Sequence, residues 1–209
     1  GSRPIDLHLE ALKQMGAEIE EEGERIRAGT TGLRGTAVSL SYPSVGATEN
    51  VLLAAVRAEG VTVLTGAAME PEIEQLCRLL SAMGARIEGI GTSRLRIEGV
   101  DSLKDTTYHV PGDRIVTGTY LSAVMAAGGE AVFKRSSPGH LEAVIKIMEK
   151  MGARIKVRGD VTEIRMSKRP RAASVETGPY PGFPTDLQSV FMVLLALGEG
   201  TGCLKETVF

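Results

Sequence analysis

The sequence predicts an α/β fold built from repeated β-α-β-α-β-β units of about 68 residues. Three observations predict it: a triplet recurs at equal spacing, an amphipathic stretch precedes each copy, and alternating apolar and polar residues follow. Met-Gly-Ala begins at Met15, Met83 and Met151, so the intervals are 83 − 15 = 68 and 151 − 83 = 68. Equal spacing within matched surroundings indicates internal duplication.

The stretch before each triplet has the periodicity of an amphipathic helix. Apolar residues recur three and four positions apart, as in Val144, Ile147, Met148 and Met151, and this spacing places them on one helical face. The glycine of each triplet suits a C-terminal cap that needs a positive φ. The sequence therefore predicts three equivalent helices, at Leu7–Met15, Ile73–Met83 and Leu141–Met151.

Alternating segments after the triplets predict paired strands. After the second triplet they cover residues 85–88 and 94–97, and after the third they cover 153–157 and 163–166. A looser helix-then-strand pattern also recurs, at 47–58 then 61–64, 113–127 then 131–133, and 185–197 then 203–204. Because each unit mixes helices with paired strands, we expect helices buried against sheets in a closed α/β arrangement rather than an open array.

The stretch 101–112 contains proline, glycine and aspartate and is the predicted boundary between two lobes. We expect residues 1–111 to belong to a first lobe and residues 112–209 to a second.

Composition limits the class of protein. Hydrophobic residues make up 43%, charged residues 24%, and the net charge is −2, which is typical of a soluble globular protein. The longest apolar run, Val190–Leu197, is far shorter than the roughly 20 residues that cross a bilayer, and no export leader opens the chain. Two cysteines, Cys77 and Cys203, are too few for a disulfide framework, and both are predicted to lie in the core of a protein of the reducing cytosol.

Nucleic acid and membranes are not expected partners. The net charge gives no basic face, and the cluster 168–171 is interpreted as a solvated loop. A pocket can still be locally cationic, so an anionic small ligand remains compatible with this composition.

Three segments carry residues suited to chemistry, and each also has a purely structural interpretation. Arg3-Pro4-Ile5-Asp6 can simply start a helix, with Asp6 complementing the helix dipole. The turn 44–46 precedes a helix whose free N–H groups could receive a phosphate, or else Ser44 and Gly46 simply form the turn. In the loop 179–188, three prolines fix the path of the chain to Asp186, which either caps a helix or is held as a reactive carboxylate.

Taken together, these segments resemble the central half of the UDP-N-acetylglucosamine 1-carboxyvinyltransferase family. The resemblance covers the whole chain and rests on motifs in this order: Arg-Pro-Ile-Asp-Leu-His (3–8), Ser-Val-Gly-Ala-Thr-Glu-Asn (44–50), Glu-Pro-Glu-Ile (70–73), Asp-Arg-Ile (113–115), Pro-Gly-Phe-Pro-Thr-Asp-Leu-Gln (181–188) and Glu-Thr-Val-Phe (206–209). It implies two lobes, each an inside-out α/β barrel of three β-α-β-α-β-β units and each incomplete in these 209 residues. The implied reaction transfers the enolpyruvyl group of phosphoenolpyruvate to the 3′-hydroxyl of UDP-N-acetylglucosamine, in peptidoglycan synthesis.

The resemblance also implies residue roles. Asp186 matches the general base that faces the sugar hydroxyl, and Arg3 matches an arginine at the phosphoenolpyruvate and sugar-nucleotide site. Pro4, Ile5, Asp6 and Leu7 match the uracil-lining segment; Ser44, Val45 and Gly46 match the turn at the diphosphate; Val208 matches a backbone contact to the sugar; Glu70, Asp113 and Arg114 match charged groups near the site. The resemblance implies neither a cofactor nor a metal ion.

The family's proton donor, its Lys-Asn pair and a later arginine have no counterparts among these residues. We therefore expect the isolated chain to be inactive. Because incomplete lobes leave sheet edges and apolar helix faces uncovered, we also expect it to associate with another copy or with the missing segments, or else to be markedly unstable alone. The alternative function is a non-catalytic UDP-sugar-binding or scaffold module. The related shikimate-pathway enolpyruvyl transferase shares the fold but does not use the motifs at 44–50 and 181–186.

Overall fold

The computed structural model of the chain describes residues 5–23 and 25–208. Within these residues there are six α-helices, each with a periodic pattern of apolar residues and a residue suited to begin or end a helix. They are α1 (Asp6–Gln14), α2 (Val45–Ala55), α3 (Pro71–Ala82), α4 (Arg114–Ala127), α5 (Glu142–Lys150) and α6 (Gln188–Leu197).

The strands form four small sheets in the described residues. They are β1 (Glu18–Glu22), β2 (Arg25–Gly29), β3 (Ala37–Ser39), β4 (Val61–Thr65), β5 (Arg86–Glu88), β6 (Arg94–Glu98), β7 (Gly129–Phe133), β8 (Arg154–Arg158), β9 (Val161–Met166), β10 (Ser174–Glu176) and β11 (Cys203–Lys205). The sheet orders are β1-β2, β3-β4-β6-β5, β7-β9-β8 and β10-β11. The pairs β3-β4 and β10-β11 are parallel and all the others are antiparallel. No sheet closes into a barrel within residues 5–23 and 25–208.

The chain divides into two compact units between His109 and Val110. Each unit has its own apolar core. The largest fully buried side chains of the first unit are Met15, Leu52, Leu64, Leu95 and Ile97. Those of the second unit are Leu121, Met125, Leu141, Met148, Met151, Ile164 and Phe191.

The three triplets end their helices in the same way, which confirms the predicted helix-then-hairpin repeat. Gly16, Gly84 and Gly152 have φ of +97°, +103° and +108°. In each copy the N–H of the following alanine donates to the carbonyl five residues earlier, at 3.0, 2.9 and 3.0 Å, which is the Schellman arrangement. An antiparallel hairpin follows each time, as β1-β2, β5-β6 and β8-β9.

The shared cap predicts a specific cost for a side chain at the central glycine. Gly84→Ala is expected to lower the free energy of unfolding by about 1–3 kcal/mol, because alanine rarely adopts this φ. A Cβ at Gly84 would have open space around it, so the loss comes from the backbone alone. Gly29→Ala, at an exposed glycine with open space and no positive φ, is the control. Equal urea midpoints for the two variants would contradict the cap.

Two sequence predictions need correction. Cys77 is buried, but Cys203 is exposed, because β11 lies in a two-stranded sheet and turns only Leu204 towards the core. The predicted helix 185–197 also starts later than expected. Residues Thr185–Leu187 form a 3-10 turn, and the α-helix begins at Gln188.

Among the described residues, no helix combines the length and apolarity that a membrane span requires.

Candidate functional site

In the first unit, the start of α1 lies against the turn before α2. The amide nitrogen of Asn50 lies 2.6 Å from Nδ1 of His8, and because an amide nitrogen donates, the ring nitrogen accepts. A Cβ built at Gly46 would lie 3.0 Å from Cε1 of His8, so the glycine lets the ring lie close to the turn. His8 therefore joins the segment 5–7 to the segment 44–46.

The turn before α2 presents backbone N–H groups. Ser44 is the N-cap residue, and its hydroxyl accepts from the N–H of Ala47 at 3.3 Å. Within the described part of the chain, the N–H groups of Val45 and Gly46 have no hydrogen-bond partner. Thr48 fixes the turn from behind: its hydroxyl donates to the Ser44 carbonyl at 2.8 Å and accepts from the N–H of Ala68 at 3.0 Å. Such a helix start is an anion-binding geometry.

The remaining predicted residues of this unit are placed as follows. Ile5 and Asp6 are exposed at the start of α1, and Leu7 packs against the core. Glu70 is buried at the N-cap position of α3, where its carbonyl accepts from Ile73 and Glu74. Arg3 and Pro4 lie outside the described residues.

In the second unit, Asp186 is exposed on the 3-10 turn that leads into α6. The preceding loop is closed on itself, since the N–H of Gly178 donates to the Phe183 carbonyl at 2.9 Å. The Tyr180–Pro181 peptide bond is cis. Phe183 packs edge to face on Phe191 of α6, with ring centroids 4.7 Å apart. The Asp186 carboxylate thus lies on a turn whose preceding loop is hydrogen-bonded to itself and packed on α6.

The segment after β11 meets this turn through Glu206. Its carboxylate accepts from the hydroxyls of Thr177 and Thr185 at 2.7 and 2.8 Å, and from the N–H of Val208 at 2.6 Å. Val208 therefore lies on a segment hydrogen-bonded to the turn that carries Asp186. Sequence reasoning gave Glu206 no role, although it lies within a quoted motif.

The start of α4 lies next to the loop that precedes Asp186. Asp113 caps α4, with Oδ1 accepting from the N–H groups of Ile115 and Val116 at 2.7 and 3.1 Å. Arg114 is buried, and its Cζ lies 5.7 Å from the centroid of the Tyr180 ring, a cation–π geometry. The structure therefore brings Arg114 and the Asp186 loop together, while Asp113 has a capping role.

Neither of two cavities in the described part of the second unit is lined by Asp186. One, of about 360 Å³, runs between the start of α5 and the loop residues Tyr180–Pro184. The other, of about 700 Å³, lies at the C-terminal ends of α4 and α6, whereas Asp186 precedes α6 at its opposite end. Arg169 at that larger cavity donates to the carbonyl of Leu197, so the basic cluster 168–171 partly caps α6. The Asp186 turn thus lies outside both cavities, and its role in the site stays a prediction.

Cys77 does not have the features of a reactive acid or nucleophile. Burial, together with the neighbouring Glu74 carboxylate, raises the pKa of the Cys77 thiol to about 11, so the thiol stays protonated at neutral pH. Cys203 is exposed on β11. Among the described residues, no group of three or more histidine, cysteine, aspartate or glutamate side chains is arranged to hold a metal ion.

Comparisons with known proteins show the family to which the chain belongs. The chain belongs to the EPSP synthase (3-phosphoshikimate 1-carboxyvinyltransferase) family, whose model matches residues 1–209. Within that family it is similar to proteins named UDP-N-acetylglucosamine 1-carboxyvinyltransferase. Those of Saccharophagus degradans and Cellvibrio japonicus are each 50% identical over all of this chain and half of their own length, and one from Caldanaerobacter subterraneus is 48% identical. The chain thus spans about half the length of the curated relatives it matches.

Solved structures confirm the predicted fold class. The enolpyruvyl transferase NikO from Streptomyces tendae matches with a TM-score of 0.85 at 21% identity, over 98% of this chain and 52% of that one. EPSP synthase from Acinetobacter baumannii matches with a TM-score of 0.63 at 22% identity, over 97% and 48%. The chain therefore has the inside-out α/β fold of enolpyruvyl transferases, without a closed barrel among the described residues.

Proposed function

We propose that this chain is part of an enzyme that transfers the enolpyruvyl group of phosphoenolpyruvate to the 3′-hydroxyl of UDP-N-acetylglucosamine. The observation that carries the proposal is the exposed carboxylate of Asp186 on the 3-10 turn before α6. The chain is 50% identical to a protein named UDP-N-acetylglucosamine 1-carboxyvinyltransferase. The reaction would commit a nucleotide sugar to peptidoglycan synthesis in the cytoplasm. The first unit would belong to the lobe with the proton-donor loop, and the second to the lobe with the base.

Asp186 is proposed as the general base. An ionised carboxylate accepts the proton of the sugar hydroxyl as that oxygen bonds to C2 of phosphoenolpyruvate, while an acid protonates the methylene carbon. Loss of phosphate from C2, together with a proton from the methyl carbon, then restores the double bond. Cationic groups stabilise the phosphate and carboxylate throughout, and Arg3 and the buried Arg114 are the proposed contributors.

The nucleotide is proposed to bind the first unit. The N–H groups of Val45 and Gly46 at the start of α2 suit the diphosphate, with Ser44 shaping the turn. Pro4, Ile5, Asp6 and Leu7 would line the uracil, and Val208 would contact the sugar through its backbone. Glu70 and Asp113 would support the site from the N-cap positions of α3 and α4.

Phosphate release tests the proposal. The complete gene product is expected to release phosphate from phosphoenolpyruvate only when UDP-N-acetylglucosamine is present. The isolated 209 residues are expected to give no turnover, because the family's proton donor, Lys-Asn pair and later arginine have no counterparts among them. Release with shikimate 3-phosphate instead, or with neither acceptor, would reject the proposed substrate.

A UDP-sugar-binding module without catalysis is the second candidate, favoured by the two N–H groups at the start of α2. Calorimetric titration of the 209 residues with UDP-N-acetylglucosamine separates the two. Binding to the 209 residues, with no turnover in the complete gene product, would support the module.

Removing Arg3 tests the proposed anion contacts. Arg3→Ala in the complete gene product is expected to raise KM for both anionic substrates more than it lowers kcat. A charge-assisted hydrogen bond is worth roughly 1.5–3 kcal/mol. Arg57→Ala, at an exposed arginine just after α2, is the control. Unchanged KM values in Arg3→Ala would remove Arg3 from the site.

Exposed apolar side chains support association of the isolated chain. Val116 and Tyr120 on α4, and Met192 and Val193 on α6, are all more than half exposed. We propose that the 209 residues alone self-associate, or bind other segments of the complete gene product. Light scattering is expected to give a mass above that of one chain, and a monodisperse monomer over a wide concentration range would contradict this.

A further inference from the structure

Glu206 joins three separate segments of the second unit. Oε1 accepts from the hydroxyl of Thr177, at 2.7 Å, and from the N–H of Val208, at 2.6 Å. Oε2 accepts from the hydroxyl of Thr185, at 2.8 Å. One half-buried carboxylate thus links the residue after β10, the 3-10 turn before α6 and the chain after β11.

Each of these donors belongs to, or lies next to, a segment with a role in the proposed reaction. Thr185 immediately precedes Asp186 in the same 3-10 turn. Thr177 precedes the loop that leads to that turn, and its bridge to Phe183 closes the loop. Val208 carries the backbone proposed to contact the sugar.

A second set of hydrogen bonds fixes Thr177 and the segment 205–208 relative to each other. The N–H of Thr207 donates to the hydroxyl of Thr177 at 2.9 Å, and the hydroxyl of Thr207 donates to the Thr177 carbonyl at 2.6 Å. The N–H of Thr177 donates to the Lys205 carbonyl at 3.0 Å. The segment 205–208 is therefore fixed on the start of the loop, and Glu206 extends that attachment to the turn itself.

We propose that Glu206 is a positioning residue that acts through Thr185 to fix the Asp186 carboxylate, and directly to fix the backbone of Val208. The proposal deepens the proposed function and rests on it. Asp186 is exposed, so packing alone does not hold it, and the hydrogen bond to the adjacent Thr185 supplies a fixed point. Hydrogen bonds to an ionised acceptor are shorter and stronger than those between neutral groups, which suits this role.

Turnover of the complete gene product tests the role. Glu206→Ala is expected to lower kcat about 100-fold, the scale of a misplacement of about 1 Å at a reacting group, with a smaller change in KM. Thr185→Val, which keeps the shape and removes the hydroxyl, is expected to lower kcat in the same direction. Thr185→Ser is expected to recover most of that loss. Glu199→Ala, at an exposed glutamate after α6, is the matched control.

Double variants separate positioning from general damage. If Glu206 acts through Asp186, Glu206→Ala added to Asp186→Asn lowers kcat little further, since residues that act as one unit are non-additive. A full additional loss in that background would overturn the action of Glu206 through Asp186. Wild-type kcat in both Glu206→Ala and Thr185→Val would also overturn it.

Amide hydrogen exchange tests the contact without activity. In Glu206→Ala, peptides covering residues 178–190 are expected to exchange faster, with α5 unchanged. If the unaltered protein gives no turnover, the proposed function fails, and exchange still decides whether Glu206 holds the turn. If Glu206→Ala does not fold, as judged by circular dichroism, Thr185→Val decides in its place. Unchanged exchange over 178–190 in Thr185→Val would then overturn the proposal.

Discussion

Asp186→Asn in the complete gene product is expected to lower kcat by about 10²–10⁴-fold. That is the usual contribution of a general base, and the amide keeps the shape of the carboxylate but cannot accept the proton. Because the side chain is exposed on its turn, its replacement leaves the core of the second unit intact. Steady-state phosphate release, with calorimetric binding of UDP-N-acetylglucosamine, measures the two effects separately.

The control for this prediction is Asp160→Asn, an exposed aspartate between β8 and β9 in the same unit. It is expected to leave both kcat and KM unchanged. Full activity in Asp186→Asn would show that another group takes the proton. Lost sugar-nucleotide binding with an unchanged melting temperature would assign Asp186 to binding instead.

The repeat could be predicted because its signals are local. The glycines at 16, 84 and 152 need a positive φ, and the alternation that follows each of them is a property of neighbouring residues. Predicted and observed helix bounds accordingly differ by only one or two residues at most ends. The exceptions are the end of α2, which stops at Ala55 rather than at residue 58, and the start of α6, whose first predicted turn is a 3-10 turn. The hydroxyl of Thr185 there bonds Glu206, a partner 21 residues away.

The error at Cys203 has a related origin. β11 has only three residues, so its alternation of exposed and buried positions is short. Leu204 packs against the core, and Cys203 shares the exposed face with Lys205. The lysine two residues further on was the available signal, because residues i and i+2 of a strand lie on one side.

The site was only partly predictable for the same physical reason. Asp186 could be found because prolines around it are visible in the sequence, and the family resemblance gives that carboxylate a role. The partners that hold the site are distant in sequence: His8 lies 2.6 Å from Asn50, 42 residues later, and Glu206 bonds Thr177, 29 residues earlier. Single-sequence reasoning has no signal for such pairs beyond their presence in motifs.

Phe191 links the core of the second unit to the Asp186 loop, and its loss is expected to be the most destabilising change proposed here. The ring is fully buried and packs edge to face on Phe183, which belongs to that loop. Phe191→Ala is expected to lower the free energy of unfolding by about 3–5 kcal/mol, the sum of lost burial and the cavity left behind. Urea denaturation of the complete gene product, followed by circular dichroism, measures it.

Ser189→Ala, two residues earlier on the exposed face of α6, is the control and is expected to change stability by less than about 0.5 kcal/mol. Phe191→Leu fills most of the space and is expected to recover part of the loss. Because Phe183 rests on Phe191, the loop should also exchange its amides faster in Phe191→Ala while the hairpin β8-β9 stays protected. A stability loss no larger than that of Ser189→Ala would mean that the packing of these two rings does not hold the loop on α6.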